Sequence, residues 1–310
     1  MIVMTGLKYA IVGCGAIGGF YGAKLVQAGC DVHFLFHSDY ETALSDGLKV
    51  DSVDGDIYLP HVCAYHNSSD MPKCDVVIVC LKTIKNNTMP QLIAPIVSQN
   101  TTILLIQNGL GMEHELAVHF PDNPIYGAMA FICSNKIGPA HISHLDYGAL
   151  TVGCYQHGND TILNFADSLK SVNVDVDIVP DLNTARWRKL VWNIPFNGLS
   201  VVLNKTTDHI VGNVSTYELV RCIMIEVIGA ARSCGAEIPD SFADKMLDAT
   251  MKMKPYKPSM MLDFLNLREM EIGYMYHNPV EEARAHGYEM KYTHMVECLL
   301  RSIQAGYLNR

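Results

Sequence analysis

A glycine-rich turn between a strand and a helix, near the start of the chain, restricts the possible fold more than any other feature. A short apolar run with β character, residues 8–12, leads directly into the pattern G-x-G-x-x-G. A helical pattern follows over 20–28, and a second apolar run spans 31–36. This strand–turn–helix–strand order is the context that a dinucleotide-binding turn requires. The sequence therefore predicts that the first half of the chain binds a nucleotide cofactor.

Each glycine of the turn has a distinct expected role. Gly13 permits the tight turn, Gly15 lets a pyrophosphate approach the backbone, and Gly18 lets the helix pack close to the strand. The helix N-terminus offers free N–H groups and a partial positive charge to the phosphates. The alternative is a turn that only packs a helix on a sheet, which explains Gly18 well and the other two poorly. The turn residues predicted to contact the cofactor are Gly13, Cys14, Gly15, Ala16, Ile17 and Gly18.

Composition excludes several classes of protein. The chain has 310 residues, which favours two domains, and a formal net charge of −9, which argues against a nucleic-acid partner. No basic patch or apolar run suggests a membrane partner, and the apolar N-terminus lacks the basic region of a signal peptide. The ten cysteines are scattered without metal-ligand spacing, so no metal site is predicted. Reduced, buried cysteines would suit a cytoplasmic protein.

Periodicity divides the chain into two parts. Apolar runs at 75–80 and 101–106 alternate with a helical pattern at 88–98, which favours a parallel, doubly wound sheet. Further strands are expected over 127–153 and 173–179, after which the pattern becomes helical. We therefore predict an α/β chain with a Rossmann-type domain over 1–180 and an all-α domain over 181–310.

Two predicted strands end in polar residues at the edge where an open α/β sheet binds ligands. One end carries Lys82, and the other carries the sequence Gln107-Asn108-Gly109-Leu110-Gly111. Lys82 and Asn108 are both candidates to face the cofactor. The alternatives are a solvated loop lysine for Lys82 and an ordinary turn for Asn108.

A polar face is predicted on the first helix of the second domain. Lys189, Asn193 and Asn197 are spaced i, i+4, i+8, so they share one face of an otherwise apolar helix. A ligand cleft would explain this face, and a solvated surface is the alternative. A second cluster contains Ser259 and Glu271, whose ordinary roles would be a helix N-cap and a surface ion pair with Arg268.

These motifs together resemble the ketopantoate reductase family, 2-dehydropantoate 2-reductase, over nearly the whole chain. The matching features are the glycine turn, the strand-end Lys82, the Gln-Asn-Gly-x-Gly sequence, Trp187-x-Lys189-Leu190 with its two asparagines, and Ser259-x-x-x-Asp263 followed by Arg268-x-x-Glu271. The resemblance implies NADPH-dependent reduction of a 2-oxo acid to a 2-hydroxy acid, in pantothenate synthesis. It leaves the oligomeric state open, with a homodimer among the alternatives.

The resemblance also implies roles for individual residues. Lys189 would be the proton donor, and Glu271 would act with it at the catalytic centre. Asn108, Asn193, Asn197 and Ser259 would bind the polar groups of the substrate. Two positions depart from the family pattern: His37 replaces the arginine that grips the 2′-phosphate of NADPH, and Gly273 replaces an aspartate. Since a neutral imidazole pairs weakly with phosphate, only a modest preference for NADPH over NADH is expected.

Two other functions fit the same residues. One is a related dehydrogenase acting on another 2-oxo or 3-hydroxy acid. The other is a redox sensor that binds the nucleotide without turnover. The lysine on the polar helix face disfavours the sensor, because a sensor needs no proton donor.

Overall fold

A computed structural model describes residues 6–308. Residues 1–5 and 309–310, at the outer ends of the two predicted domains, lie outside the described residues. Within residues 6–308 two compact units occur. The first ends at Gln107 and resumes over Met112–Leu182, and the second contains Asn108–Gly111 and continues from Asn183. In the same part of the chain, no helix has both the length and the apolar character needed to cross a bilayer.

The first unit contains a ten-stranded sheet within the described residues, in the order β4-β3-β9-β8-β7-β6-β1-β2-β5, with β10 paired to β9. The strands are β1 Lys8–Val12, β2 Asp31–Leu35, β3 Leu48–Ser52, β4 Ile57–Leu59, β5 Cys63–Tyr65, β6 Val76–Val79, β7 Thr102–Ile106, β8 Ile125–Gly138, β9 His141–Gln156 and β10 Val176–Val179. The predicted N-terminal doubly wound sheet with helices is confirmed, but the sheet is mixed rather than wholly parallel. Two pairs, β8 with β9 and β3 with β4, are antiparallel.

Five helices belong to this unit: α1 Ala16–Gln27, α2 Tyr40–Asp46, α3 Met89–Ile93, α4 Met112–His119 and α5 Thr161–Lys170. The predicted helix at 88–98 is shorter than expected, because Pro95 interrupts the α-helical pattern and a 3₁₀ turn, Ala94–Ile96, replaces its second half. The central strands β1, β6 and β7 are buried almost completely, as expected for strands covered on both faces.

The second unit is helical, as predicted. Its helices are α6 Leu182–Leu203, α7 Thr207–Val211, α8 Val214–Ser233, α9 Ser241–Met251, α10 Ser259–Leu265, α11 Asn278–Ala285 and α12 Lys291–Leu308. A π-helical turn, Gly273–His277, leads into α11. Pro195 lies inside α6, which continues through it. Trp187, Phe196 and Tyr276 are fully buried in the core of this unit.

The glycine turn is explained by packing at two of its three glycines. Gly13 has φ +95°, and a Cβ there would lie 2.8 Å from the backbone nitrogen of Leu81. A Cβ at Gly18 would lie 2.3 Å from the carbonyl oxygen of Gly13. At Gly15 a Cβ would meet nothing within 4 Å. The packing explanation therefore covers Gly13 as well as Gly18, and only Gly15 needs a different reason.

The cysteines are free thiols, but they are less buried than predicted. Only Cys74 and Cys133 are buried among the ten, whereas Cys63, Cys154 and Cys222 are exposed, as is Cys298. Burial raises the pKa of the Cys14 thiol well above its ordinary value. This thiol therefore stays protonated although it lies in the glycine turn.

The same substitution at two glycines tests this packing. Gly18→Val should lower the free energy of unfolding by about 3 kcal/mol, because the side chain must displace backbone atoms. Gly15→Val is the matched control and should cost under about 1 kcal/mol, since its φ of −81° suits any residue and its Cβ points into open space. Urea midpoints followed by circular dichroism give both values. Equal losses would contradict the packing described here.

Candidate functional site

A cleft of about 580 Å³ opens at the carboxyl ends of β1, β2 and β6 in the first unit. Gly13, Cys14 and Gly15 line it on one side, and His37 and Lys82 are among its other lining residues. Five of the predicted cofactor residues thus share one cleft, at the edge of the sheet where α/β proteins bind ligands. Ala16, Ile17 and Gly18 do not line it.

The residues of the cleft fit a dinucleotide. Gly15 faces the cleft and leaves open the space that a Cβ would fill. The first intrahelical bond of α1 joins the Gly19 N–H to the Gly15 carbonyl oxygen at 2.9 Å. The N–H groups of Ala16, Ile17 and Gly18 precede it, so these residues supply the helix N-terminus that attracts phosphate. The predicted turn therefore offers backbone donors, which side-chain exposure alone does not reveal.

Gln107 fixes the neighbouring strand ends. Its Nε2 donates to the carbonyl oxygen of Leu81 at 2.7 Å and to Oδ1 of Asn86 at 2.8 Å. Because Leu81 immediately precedes Lys82, this side chain ties the end of β7 to the loop that carries Lys82. The side chain of Lys82 is half-buried and lines the cleft, so it is not the solvated loop lysine that was the alternative.

The rim of the cleft carries several further charged or titratable residues, none of which belongs to a motif described above. They are Asp39, His66, Lys85 and Lys136. The rings of His37 and His66 stack with their centroids 6.2 Å apart. Lys136 comes from β8, 97 residues along the chain from the Asp39 carboxylate that it contacts. Among these four residues, only Asp39 could be identified from the sequence, because an acid about 20 residues after the glycine turn is typical of a ribose contact.

A separate polar cluster lies in the second unit, around the middle of α6. Asn193 and Asn197 are buried, with exposed fractions of 3% and 2%, and Lys189 is half-buried on the same helix. The solvated face that was the alternative is therefore excluded for both asparagines. Buried amides require partners, and the structure supplies them from two other segments.

The first partner of α6 is the loop Asn108–Gly111. Nδ2 of Asn193 donates to Oδ1 of Asn108 at 3.4 Å. The loop itself is held by the segment at the start of α11, since Leu110 N–H donates to the Tyr274 carbonyl oxygen and Asn278 Nδ2 donates to the Leu110 carbonyl oxygen, both at 2.9 Å. Asn108 therefore lies with the predicted substrate residues, and it does not line the cleft of the first unit.

Glycine is required in this loop for a steric reason. Gly109 has φ +111°, and a Cβ there would lie 2.6 Å from the carbonyl oxygen of Tyr274. The π-helical turn contains Tyr274, and such turns occur often at functional sites. The Asn-Gly pair is therefore more than an ordinary turn, because its backbone is docked on a helix.

The second partner of α6 is the start of α10. Oδ1 of Asn197 accepts from the backbone N–H of Met260 at 3.1 Å, and Ser259 Oγ lies 3.4 Å from the same oxygen. The expected N-cap role of Ser259 is wrong: Pro258 is the N-cap residue, and a side chain of α6 takes the helix N–H instead. With its oxygen engaged, Asn197 has its Nδ2 donor to offer to a ligand.

Glu271 is buried, with an exposed fraction of 7%, and lies just before the π-helical turn. It does not share a continuous helix with Ser259, because α10 ends at Leu265 and Leu267 has φ +54°. Arg268 forms an ion pair with the buried Asp263, its Nε lying 3.0 Å from Oδ1.

One group with metal-ligand chemistry occurs among the described residues, at Cys234, Glu282 and His286. The sulfur of Cys234 lies 3.8 Å from Nδ1 of His286. That nitrogen also lies 2.9 Å from the carbonyl oxygen of Glu282 and must carry a proton to donate to it. Exposed groups of this kind are common without a metal ion, so the cluster by itself supports no assignment.

Comparisons with known proteins agree with this arrangement. The family model "Ketopantoate reductase PanE/ApbA" matches residues 9–157, and the model of its C-terminal domain matches 181–304. A 2-dehydropantoate 2-reductase of Nostoc sp. is 46% identical over 307 residues, covering 97% of this chain and 95% of the relative.

Solved structures show the same similarity. The crystal structure of 2-dehydropantoate 2-reductase from Geobacter metallireducens has a TM-score of 0.92 and 40% identity, covering 96% of this chain and 99% of that one. A D-mandelate dehydrogenase solved with NADH and anilino(oxo)acetate is 19% identical with a TM-score of 0.88, covering 97% of this chain and 100% of that one, a likeness of fold alone. The two family models and the full-length relative show that this chain belongs to the ketopantoate reductase family of NAD(P)-dependent oxidoreductases.

Proposed function

We propose that the protein reduces ketopantoate to pantoate with NADPH. The observation that carries this proposal is the polar cluster on α6, where Lys189 shares a helix face with two buried asparagines whose partners come from two other segments. These contacts hold the two amides on the helix face that carries Lys189, and nucleotide binding by the first unit does not require such a face.

The first unit would hold the cofactor. The backbone of Gly13, Cys14 and Gly15 and the first turn of α1 would bind the pyrophosphate, and His37 and Lys82 would lie along the cleft. When bound, NADPH supplies the hydride. We propose NADPH rather than NADH because the cleft is lined by three lysines and two histidines against one acid, Asp39.

Lys189 would supply the proton. Arrival of a hydride at the keto carbon creates an alkoxide, and a nearby ammonium group both stabilises this charge and protonates it. Glu271 would act beside it as a buried carboxylate that orients the ammonium group or the substrate. The role of Glu271 is proposed from the family resemblance and its burial together.

The amides and the hydroxyl of the cluster would bind the substrate. Asn108, Asn193, Asn197 and Ser259 can hydrogen-bond a carboxylate and a hydroxyl without adding charge. Asn197 has its orientation fixed by Met260 N–H, which presents its Nδ2 as the donor. Preset donors reduce the reorganisation that accompanies substrate binding.

A second candidate function is reduction of a related 2-oxo acid whose size differs from that of ketopantoate. It is favoured by Gly273, where a Cβ would meet nothing within 4 Å, so that this position leaves empty the space that an aspartate would fill. A panel of 2-oxo acids assayed by NADPH oxidation decides between them. If kcat/KM is highest with ketopantoate, the proposal is supported. If it is higher with another acid, that acid is the substrate in place of ketopantoate. If no acid is turned over, the redox sensor is the function that remains.

Lys189→Ala should lower kcat for ketone reduction by roughly 10²- to 10⁴-fold, the usual contribution of a positioned acid. NADPH affinity should change little, since the residues proposed to hold the phosphates belong to the first unit. Lys205→Ala, which removes an exposed lysine just after α6, is the matched control for loss of one charge. Wild-type turnover in Lys189→Ala would refute the proton-donor role.

Asn193→Ala and Asn197→Ala should instead raise KM more than they lower kcat, because they hold substrate. A purely structural role predicts unchanged KM in every variant that folds. Steady-state kinetics with ketopantoate, together with circular dichroism for folding, separates these outcomes.

Gly15→Val should weaken nucleotide binding sharply while the fold survives, because the side chain would occupy the space open to the pyrophosphate. The measurement is titration of NADPH fluorescence. An unchanged dissociation constant in a folded variant would mean that the pyrophosphate does not lie over this glycine.

His37→Arg should increase the preference for NADPH over NADH, since a permanent charge pairs with a phosphate better than an imidazole. The ratio of kcat/KM for the two cofactors measures the preference in both proteins. If the ratio does not move, His37 does not face the 2′-phosphate.

A further inference from the structure

We propose that Lys136 determines the cofactor choice of this chain, by occupying the acid that would bind the ribose of NADH and by offering its ammonium group to the 2′-phosphate of NADPH. This inference rests on the proposed NADPH-dependent function and assigns its specificity to a residue outside every motif recognised in the sequence. Four observations support it.

The first observation is the position of Asp39. In nucleotide-binding folds of this type, an acid about 20 residues after the glycine turn accepts a hydrogen bond from the ribose 2′-hydroxyl and so favours NAD. Asp39 lies 21 residues after Gly18 (39 − 18) and lines the cleft. By spacing alone, Asp39 is therefore a candidate to bind the ribose of NADH.

The second observation is that the Asp39 carboxylate is saturated. Oδ1 accepts from Ser38 Oγ at 2.8 Å and from Lys136 Nζ at 2.6 Å. Oδ2 accepts from the backbone N–H of Ala140 at 3.0 Å and lies 2.5 Å from Lys136 Nζ. A carboxylate has about four lone-pair sites, and three hydrogen bonds together with the ion-pair contact to Lys136 engage both of its oxygens.

Charge and burial agree with this saturation. Asp39 has an exposed fraction of only 6%. Burial raises the pKa of its carboxyl, but the hydrogen bonds from Lys136, Ala140 and Ser38 outweigh burial and lower the pKa below the ordinary value. The acid is therefore ionised, paired and held in place, with no acceptor site left for a ribose hydroxyl.

The third observation is how Lys136 reaches the cleft. Strand β8 is 14 residues long, but it pairs with β7 only over 125–128. Beyond that point β8 pairs only with β9, whose other side pairs with β3. This part of β8 passes the glycine turn, where Ser134 Oγ donates to the Ala16 carbonyl oxygen at 3.2 Å, and then places Lys136 on the rim.

The fourth observation is the donor capacity of Lys136. An ammonium group has three N–H donors, and the two Asp39 oxygens account for two of them. Its side chain is 38% exposed and lines the same cleft as His37 and His66. An ammonium group is a point charge with several donors, which suits it to a phosphate.

The test compares two probes that differ only in the 2′-phosphate, 2′,5′-ADP and 5′-AMP, whose affinities are measured by calorimetry without turnover. In Lys136→Met the affinity for 2′,5′-ADP should fall roughly tenfold or more, which corresponds to loss of one charge-assisted hydrogen bond. The affinity for 5′-AMP should hold or rise, because Asp39 regains acceptor sites. The ratio of kcat/KM for NADPH and NADH should move in the same direction.

The double variant Asp39→Asn with Lys136→Met guards against misfolding, because it leaves no unpaired buried charge. It should lose affinity for 2′,5′-ADP as the single variant does, but without any gain for 5′-AMP. Lys49→Met removes a lysine from β3 that does not line the cleft, and it should leave both affinities unchanged.

The outcomes separate the inference from the proposed function. If the wild type prefers 2′,5′-ADP and keeps that preference in both Lys136 variants, Lys136 does not determine cofactor choice, and the inference is wrong while the NADPH proposal stands. If the wild type binds 5′-AMP as tightly as 2′,5′-ADP, the NADPH proposal fails and the inference fails with it.

Discussion

Helix α1 begins so close to the ends of β1 and β6 that position 13, in the turn before the helix, and position 18, in its first turn, have no room for a Cβ. A Cβ at position 18 would lie 2.3 Å from the Gly13 carbonyl oxygen, and one at position 13 would lie 2.8 Å from the backbone nitrogen of Leu81. This contact directs the N-terminus of α1 at the carboxyl edge of the sheet. The cleft, the backbone N–H donors of α1 and the position of the end of β6 all depend on this close packing of the helix on the sheet.

The helical unit solves a different problem, the burial of polar groups without loss of their hydrogen bonds. Two asparagines of α6 are buried, and each contacts a separate segment: Asn193 contacts the loop containing Asn108, and Asn197 contacts the start of α10. A buried amide of α6 without a hydrogen-bond partner would cost free energy. These contacts therefore stabilise the loop containing Asn108 and the start of α10 as well as the two asparagines. The contacts therefore hold Asn108, Asn193 and Asn197 in place without a ligand.

The sequence predicts the fold class because its two halves have different and strong periodicities, and both halves are confirmed. It predicts the site residues through motif spacing, and five of those for the cofactor share one cleft. It does not predict that β8 continues past the end of β7, paired only with β9, because strand pairing over long separations leaves no local signal. Lys136 was missed for that reason, and Asp39 could not be interpreted without it.

The assignment of the loop Asn108–Gly111 to the helical unit has a consequence for how the protein can be divided. The chain passes between the two units at 107/108, 111/112 and 182/183, so a single cut near residue 181 does not separate them. A C-terminal fragment would lack Asn108 and the backbone that docks on Tyr274, and an N-terminal fragment would carry a four-residue insert belonging to its partner. Domain exchange between relatives should therefore transplant this loop together with the helical segment.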